Sequence, residues 1–180
     1  MLQLRVLGYD TVVASSLCAV CPHSAVGCCQ SPPPLDWSDL GRIVSKGGRD
    51  WLLEQHRAGN VLLRPSGAYI RRVRGRARDG AGAPRISKCA FHGPTGCTVP
   101  ETHRPGTCNV YICESALHAG EQATPGSAAQ GRAVHADIAS RFSRADAELA
   151  ERIAVEWPDG VELNASFLDW LGQAFTRVLA

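Results

Sequence analysis

The chain's best candidates for chemistry are its eight cysteines, which fall into two groups of four. The first group reads Cys18-x2-Cys21-x6-Cys28-Cys29, and the second reads Cys89-x7-Cys97-x10-Cys108-x4-Cys113. Thiolates are soft, anionic donors that suit zinc or iron–sulfur clusters, and a Cys-x2-Cys turn lets two sulfurs converge on one ion. The second group has no such turn, so the pattern is neither a zinc ribbon nor the tightly spaced bacterial ferredoxin run. In extended backbone neighbouring side chains point to opposite sides, so Cys28 and Cys29 do not easily chelate one ion together. They suit two metal atoms, or one ligand beside a packing or redox-active thiol. Two zinc sites of four cysteines, or a cluster with spare cysteines, both satisfy the count.

The competing use of eight thiols is structural, buried or paired in disulfides, and the compartment decides between the two. Met1 to Ser16 holds a single Arg and is broken by Gly8, Tyr9 and Asp10, unlike a secretory signal. No stretch approaches the roughly 20 apolar residues that span a bilayer. A reducing cytoplasm is therefore expected, and with it metal rather than disulfides. A net charge of +2 carries no global bias toward nucleic acid or anionic lipid.

With Cys18-x2-Cys21 and Cys28-Cys29 come Cys89-Ala-Phe-His-Gly-Pro-Thr-Gly-Cys97, Arg104-Pro105-x-x-Cys108 and Tyr111-x-Cys113. In this order the residues resemble the YkgJ-type cysteine-cluster family, described as zinc- or iron-chelating and including a flagellin lysine N-methylase. The resemblance runs from about Cys18 to Cys113. The chain departs from the family pattern at His92, where an apolar residue is usual, and at Thr98 to His103, where Ile-Tyr is usual. The sulfur positions are kept. All eight cysteines are then expected as metal ligands, with Arg104 and His92 in the shell around them. A guanidinium at Arg104 would offset the net negative charge of four thiolates on a metal. His23, His103 and His118 are expected to face solvent.

The elements that must position these residues are legible in part. Leu2, Leu4, Val6, Val12 and Val13 alternate as in a short strand. Ser31-Pro32-Pro33-Pro34 closes the first cysteine segment. Asp36 or Ser38 can cap a helix carrying Leu40, Ile43, Val44, Trp51 and Leu52, which Gly47-Gly48 should split in two. Val61 to Val73 predicts a hairpin turning at Pro65-Ser66-Gly67. Residues 71–88 hold seven cations against Asp79 alone and read as a mobile basic loop with turn chemistry at Asp79-Gly80 and Gly82-Ala83-Pro84.

The domain plan is a cysteine-cluster domain over 1–114, a linker or exposed loop over 115–131, and a helical hairpin over 132–180 packed on the domain. Val134, Ile138, Phe142, Ala145, Leu149 and Ile153 give the first helix, which Trp157-Pro158-Asp159-Gly160 stops. Asn164 or Ser166 starts the second. The fold class is α+β, small and irregular, mainly helical with short strands, organised around a cysteine-ligated metal centre with a C-terminal helix pair. Aromatic residues are only 6% of the chain, so a thin core is expected, supplemented by metal.

The function that follows is a metal-binding protein holding zinc or an iron–sulfur cluster, with a metal ion as partner and a protein partner left open. A cluster-dependent enzyme of methyl transfer or redox chemistry is the alternative implied by the methylase relative. The chain lacks a dinucleotide fingerprint and the Cys-x3-Cys-x2-Cys run of radical enzymes. A zinc-stabilised nucleic-acid-binding module is the third reading. It is disfavoured because the basic stretch has little aromatic interleaving and no recognition helix follows it.

Overall fold

The structure, a computed structural model, describes residues 1–21, 27–76, 85–93 and 96–179. It is α+β, mainly helical, with four small antiparallel sheets. The first is the hairpin of β1 (Leu2–Arg5) and β2 (Val12–Ser15), in which Leu4 faces Val13. The second is three-stranded. It sets β5 (Gly67–Ile70) between β3 (Pro34–Leu35) and β4 (Val61–Arg64). The β4–β5 turn falls where Pro65-Ser66-Gly67 predicts it. Gly67 there has φ +124° and a Cβ would lie 2.3 Å from the Leu35 carbonyl oxygen, so only glycine fits.

The helices begin with α1 (Trp37–Ser45) and α2 (Arg49–Arg57), separated at Gly47-Gly48 as the sequence implies. Asp36 occupies the cap position of α1 without a side-chain capping bond. The capping oxygen comes instead from Asp146, far along the chain, whose Oδ1 accepts from the Ser38 N–H at 3.1 Å. Ser38 lies inside the helix and is fully buried.

Two expectations are overturned here. The basic stretch is not a loop at its ends: β6 (Arg72–Arg76) and β7 (Arg85–Cys89) pair antiparallel from Arg72 opposite Cys89 to Arg76 opposite Arg85. The turn residues Asp79-Gly80 and Gly82-Ala83-Pro84 lie outside the described residues. Strand pairing supplies each arm with backbone partners that local charge cannot reveal.

The proposed linker at 115–131 is also helical. It comprises α4 (Glu114–Ala123) and the start of α5 (Ser127–Glu156), with a short turn between them. Its alanines, Glu121 and Gln122 are good helix formers. Glu121 also accepts from the N–H groups of Gly126 at 2.8 Å and Ala128 at 3.0 Å, supplying the capping oxygens that α5 needs.

The last helix, α6 (Ala165–Val178), starts after Asn164, whose side chain accepts from the Phe167 N–H at 3.0 Å. α6 packs chiefly on α1, and α5 lies against α1, α4 and α6. A contiguous core joins Leu40, Ile43, Leu52, Val61, Leu149, Phe167, Leu168 and Leu171, each fully buried. It is broader than the aromatic content suggests, because aliphatic residues from both terminal helices fill it. A smaller cluster of Val13, Val110 and Ile138 lies under the N-terminal hairpin. No helix among the described residues is long and apolar enough to cross a membrane.

Candidate metal centre

All the cysteines except Cys108, which lies inside a short helix, sit at the end of an element or on a tight turn. Cys18 lies on the 3-10 turn Ser16–Val20 that follows β2, where the Ser15 side chain accepts from the Leu17 N–H at 3.2 Å. Cys21 caps that turn. Cys28 and Cys29 share a second 3-10 turn, Gly27–Gln30. The vicinal pair is therefore not extended: with three residues per turn, its side chains diverge by about 120° rather than pointing oppositely. Cys28 is exposed, while Cys29 is half-buried against the main core.

In the second group, Cys89 ends β7 and is buried. Cys97 ends β9 (Gly96–Cys97), which pairs with β8 (His92–Gly93) so that His92 stands opposite Cys97. Cys108 lies on α3 (Gly106–Val110), and Cys113 is the cap residue of α4.

Tertiary packing then brings the two groups together. The turn Ser16–Val20 packs on α4, and the turn Gly27–Gln30 packs on β7. Cys28, Cys89, Cys97 and Cys108 become electrostatic neighbours, as do Cys18, Cys21, Cys28 and Cys113. The close approach within the first group is visible at Gly27, where a Cβ would lie 2.7 Å from Cys21 Sγ.

Four of the thiols, Cys18, Cys29, Cys89 and Cys108, have raised pKa values. Burial raises Cys18, Cys89 and Cys108, and the neighbouring thiols raise each further. Cys29 is raised most by its hydrogen bond with Cys28, then by burial. Backbone hydrogen bonds work the other way, from Ser15 at Cys18 and from Phe91 at Cys89. Such bonds favour the anionic sulfur. All eight cysteines are among the described residues, and none is joined in a disulfide.

The surrounding shell differs from expectation in detail. Arg104 Nε donates to the Val99 carbonyl at 2.7 Å, and Cys97 Sγ reaches the same carbonyl at 4.0 Å. Arg104 is thus held beside Cys97 through a shared backbone oxygen. His92 is buried, with Lys88 Nζ 3.4 Å from its Nδ1 and bonded to its carbonyl at 3.0 Å. His103 is not the solvent-facing residue expected: its ring stacks on Trp51 at 5.2 Å between centroids, and burial lowers its pKa. His118 is exposed, and His23 lies outside the described residues.

Two residues that matter for this site carry no motif. Arg42 is fully buried in α1 and donates to the Thr102 carbonyl at 3.2 Å and to the Arg104 carbonyl. Asp39, also buried, accepts from the Gly106 N–H at 2.6 Å. Together they fasten the segment that leads into Cys108. Their only trace in the sequence is two opposite charges three apart on a helix rich in core residues.

Cysteine sulfurs are donors that suit a thiophilic metal. Among the described residues, however, no three His, Cys, Asp or Glu side chains stand in an arrangement that would hold an ion. Comparison with family models, curated proteins and solved structures gives no match to the chain.

Proposed function

We propose that this chain is a metal-binding protein whose two cysteine groups act as one site region for zinc or an iron–sulfur cluster. The observation that carries the reading is the meeting of thiols remote in sequence: Cys18 neighbours Cys113, while Cys28 neighbours Cys89 and Cys108. Neighbouring thiols add to the raised pKa of Cys18, Cys29, Cys89 and Cys108, a cost that a bound cation reverses because it favours the deprotonated sulfur. The backbone bonds at Cys18 and Cys89 are the kind that orient and stabilise thiolate ligands. A bound metal would supply cross-links between segments that lie far apart in sequence. The resemblance of the cysteine motifs to the YkgJ-type family supports the same reading.

Anaerobic purification with elemental analysis and a visible absorption spectrum tests this directly. Stoichiometric zinc with no visible bands, or iron with sulfide and charge-transfer bands, is the expected outcome. A protein that stays metal-free after reduction and incubation with either metal would overturn the proposal.

A further inference from the structure

We propose that the arginine-bearing ribbon of β6 and β7 is a docking surface for the phosphates of double-stranded DNA. The proposal goes beyond metal binding and does not depend on it.

The register of the ribbon sorts its residues onto two faces. Successive residues of a strand alternate, and residues directly opposite one another share a face. Val73 and Gly75 therefore share one face with Ile86 and Lys88. Arg72, Arg74 and Arg76 share the other with Arg85, Ser87 and Cys89.

On the first face Val73, Ile86 and Lys88 are half-buried. Lys88 crosses Gly75, where a Cβ would lie 2.5 Å from its Cε, and donates to the His92 carbonyl at 3.0 Å. That cation is thus engaged by the protein itself. On the second face Cys89 is buried, whereas Arg72, Arg74 and Arg85 are exposed.

None of these three arginines meets a carboxylate among the described residues, although Arg5, Arg42, Arg49, Arg132, Arg141 and Arg152 each do. The register also sets Arg76 opposite Arg85, and like charges so placed weaken a strand pair. A polyanion relieves that repulsion, and each phosphate that a guanidinium neutralises releases a condensed counterion. The planar fork of arginine matches phosphate oxygens in pairs.

The shape of the element selects the duplex. A two-stranded ribbon fits the major groove of B-form DNA, whereas the deep, narrow major groove of duplex RNA gives side chains no such access. Single strands are held largely by bases stacked on aromatic rings. Neither Arg72–Arg76 nor Arg85–Cys89 contains an aromatic residue. The ribbon thus takes the place of the recognition helix that the sequence lacks.

The test uses the full reduced chain and a fluorescein-labelled DNA duplex of mixed sequence, with fluorescence anisotropy read at about 50 mM and about 200 mM salt. Three arginines on three phosphates make the affinity about 40-fold weaker at the higher salt. Arg72→Gln, Arg74→Gln and Arg85→Gln should each cut that ratio to about 12-fold. Arg74→Lys keeps the charge and should keep the ratio. Arg144→Gln, which removes an exposed cation from α5, should leave it unchanged. Circular dichroism checks that each variant keeps its helices, and if one glutamine variant fails to fold the other two decide. Absence of binding by the unaltered chain at the lower salt, or an equal fall in the ratio for Arg144→Gln, overturns the proposal. So does binding to single-stranded DNA, duplex RNA or anionic phospholipid vesicles that is as tight as to the DNA duplex.

Discussion

The buried carboxylate of Asp39 accepts a hydrogen bond from the Gly106 N–H at 2.6 Å, joining α1 to the start of the helix that bears Cys108. Burial pushes the Asp39 pKa up to about 7, and the nearby Asp36 and Asp146 add to the rise against the opposing Gly106 bond and Arg42. The folded state therefore keeps this proton up to about pH 7, while the unfolded chain releases it near 3.8. The stability that Asp39 contributes is fully present below pH 3.8 and is lost as pH rises from there toward 7. In Asp39→Asn the amide oxygen can still accept from Gly106 but has nothing to titrate. Urea midpoints measured across that window should decline less steeply than in the unaltered chain, by at most about 1.4 kcal/mol per pH unit. Equal slopes would show that Asp39 does not hold its proton.

Arg42 fastens the neighbouring stretch through the Thr102 and Arg104 carbonyls, with Asp10 at 3.6 Å as its carboxylate partner. Arg42→Met keeps much of the volume but strands these acceptors, and removing one member of a buried charged network costs about 3 kcal/mol. Chemical denaturation should read that loss. The rate at which Cys108 reacts with a thiol reagent should also rise, because its helix is no longer held.

Gly41 permits the close approach of α1 and α6. A Cβ there would lie 2.6 Å from Phe175 Cβ and 3.3 Å from the Leu171 carbonyl oxygen. Neither atom is the end of a flexible chain, so the gain in helix propensity from Gly41→Ala is outweighed. The substitution should destabilise the protein by about 1–3 kcal/mol, read from the thermal midpoint.

Asn164→Ala removes the oxygen that accepts from the Phe167 N–H at the start of α6. The expected loss is about 1 kcal/mol in denaturation experiments. Metal uptake should be unchanged, since the cap lies in the helix pair rather than among the cysteines.

Gly27→Ala should affect metal uptake as well as stability. The position has φ +52° and no room beside Cys21 Sγ, so the variant should bind less metal at limiting concentration while its denaturation midpoint falls by about 1 kcal/mol from backbone strain. Full metal occupancy would show that Cys21 does not need its present position.

Local signals in the sequence were enough for several elements. The Gly47-Gly48 break, the Pro65-Ser66-Gly67 turn, the stop at Trp157-Pro158 and the Asn164 start each depend on residues a few positions apart, whereas the single strand expected from Leu2, Leu4, Val6, Val12 and Val13 is a hairpin of two strands that leaves Val6 outside both. The same locality explains the misses. Arg72–Arg76 carries the charge of a solvated segment, and only its remote partner Arg85–Cys89 makes it a strand. The 115–131 stretch looked like a linker because Gly, Ser and Pro125 are scattered through it. Its helices are held by caps and packing, including Glu121 on α5 and Gly120 and Gly131 against Leu2.

By itself the sequence determined which atoms are available for chemistry: eight thiols in two groups, with a vicinal pair at Cys28 and Cys29. Which thiols stand next to one another was decided only by the tertiary structure. Cys113 meets Cys18 because α4 packs on the turn after β2, and Cys89 meets Cys28 because β7 packs on the next turn. Those contacts come from burying apolar surface and pairing strands across long stretches of chain. Spacing along the chain carries no record of them, because the energy that creates them is shared among many residues rather than encoded near any one cysteine.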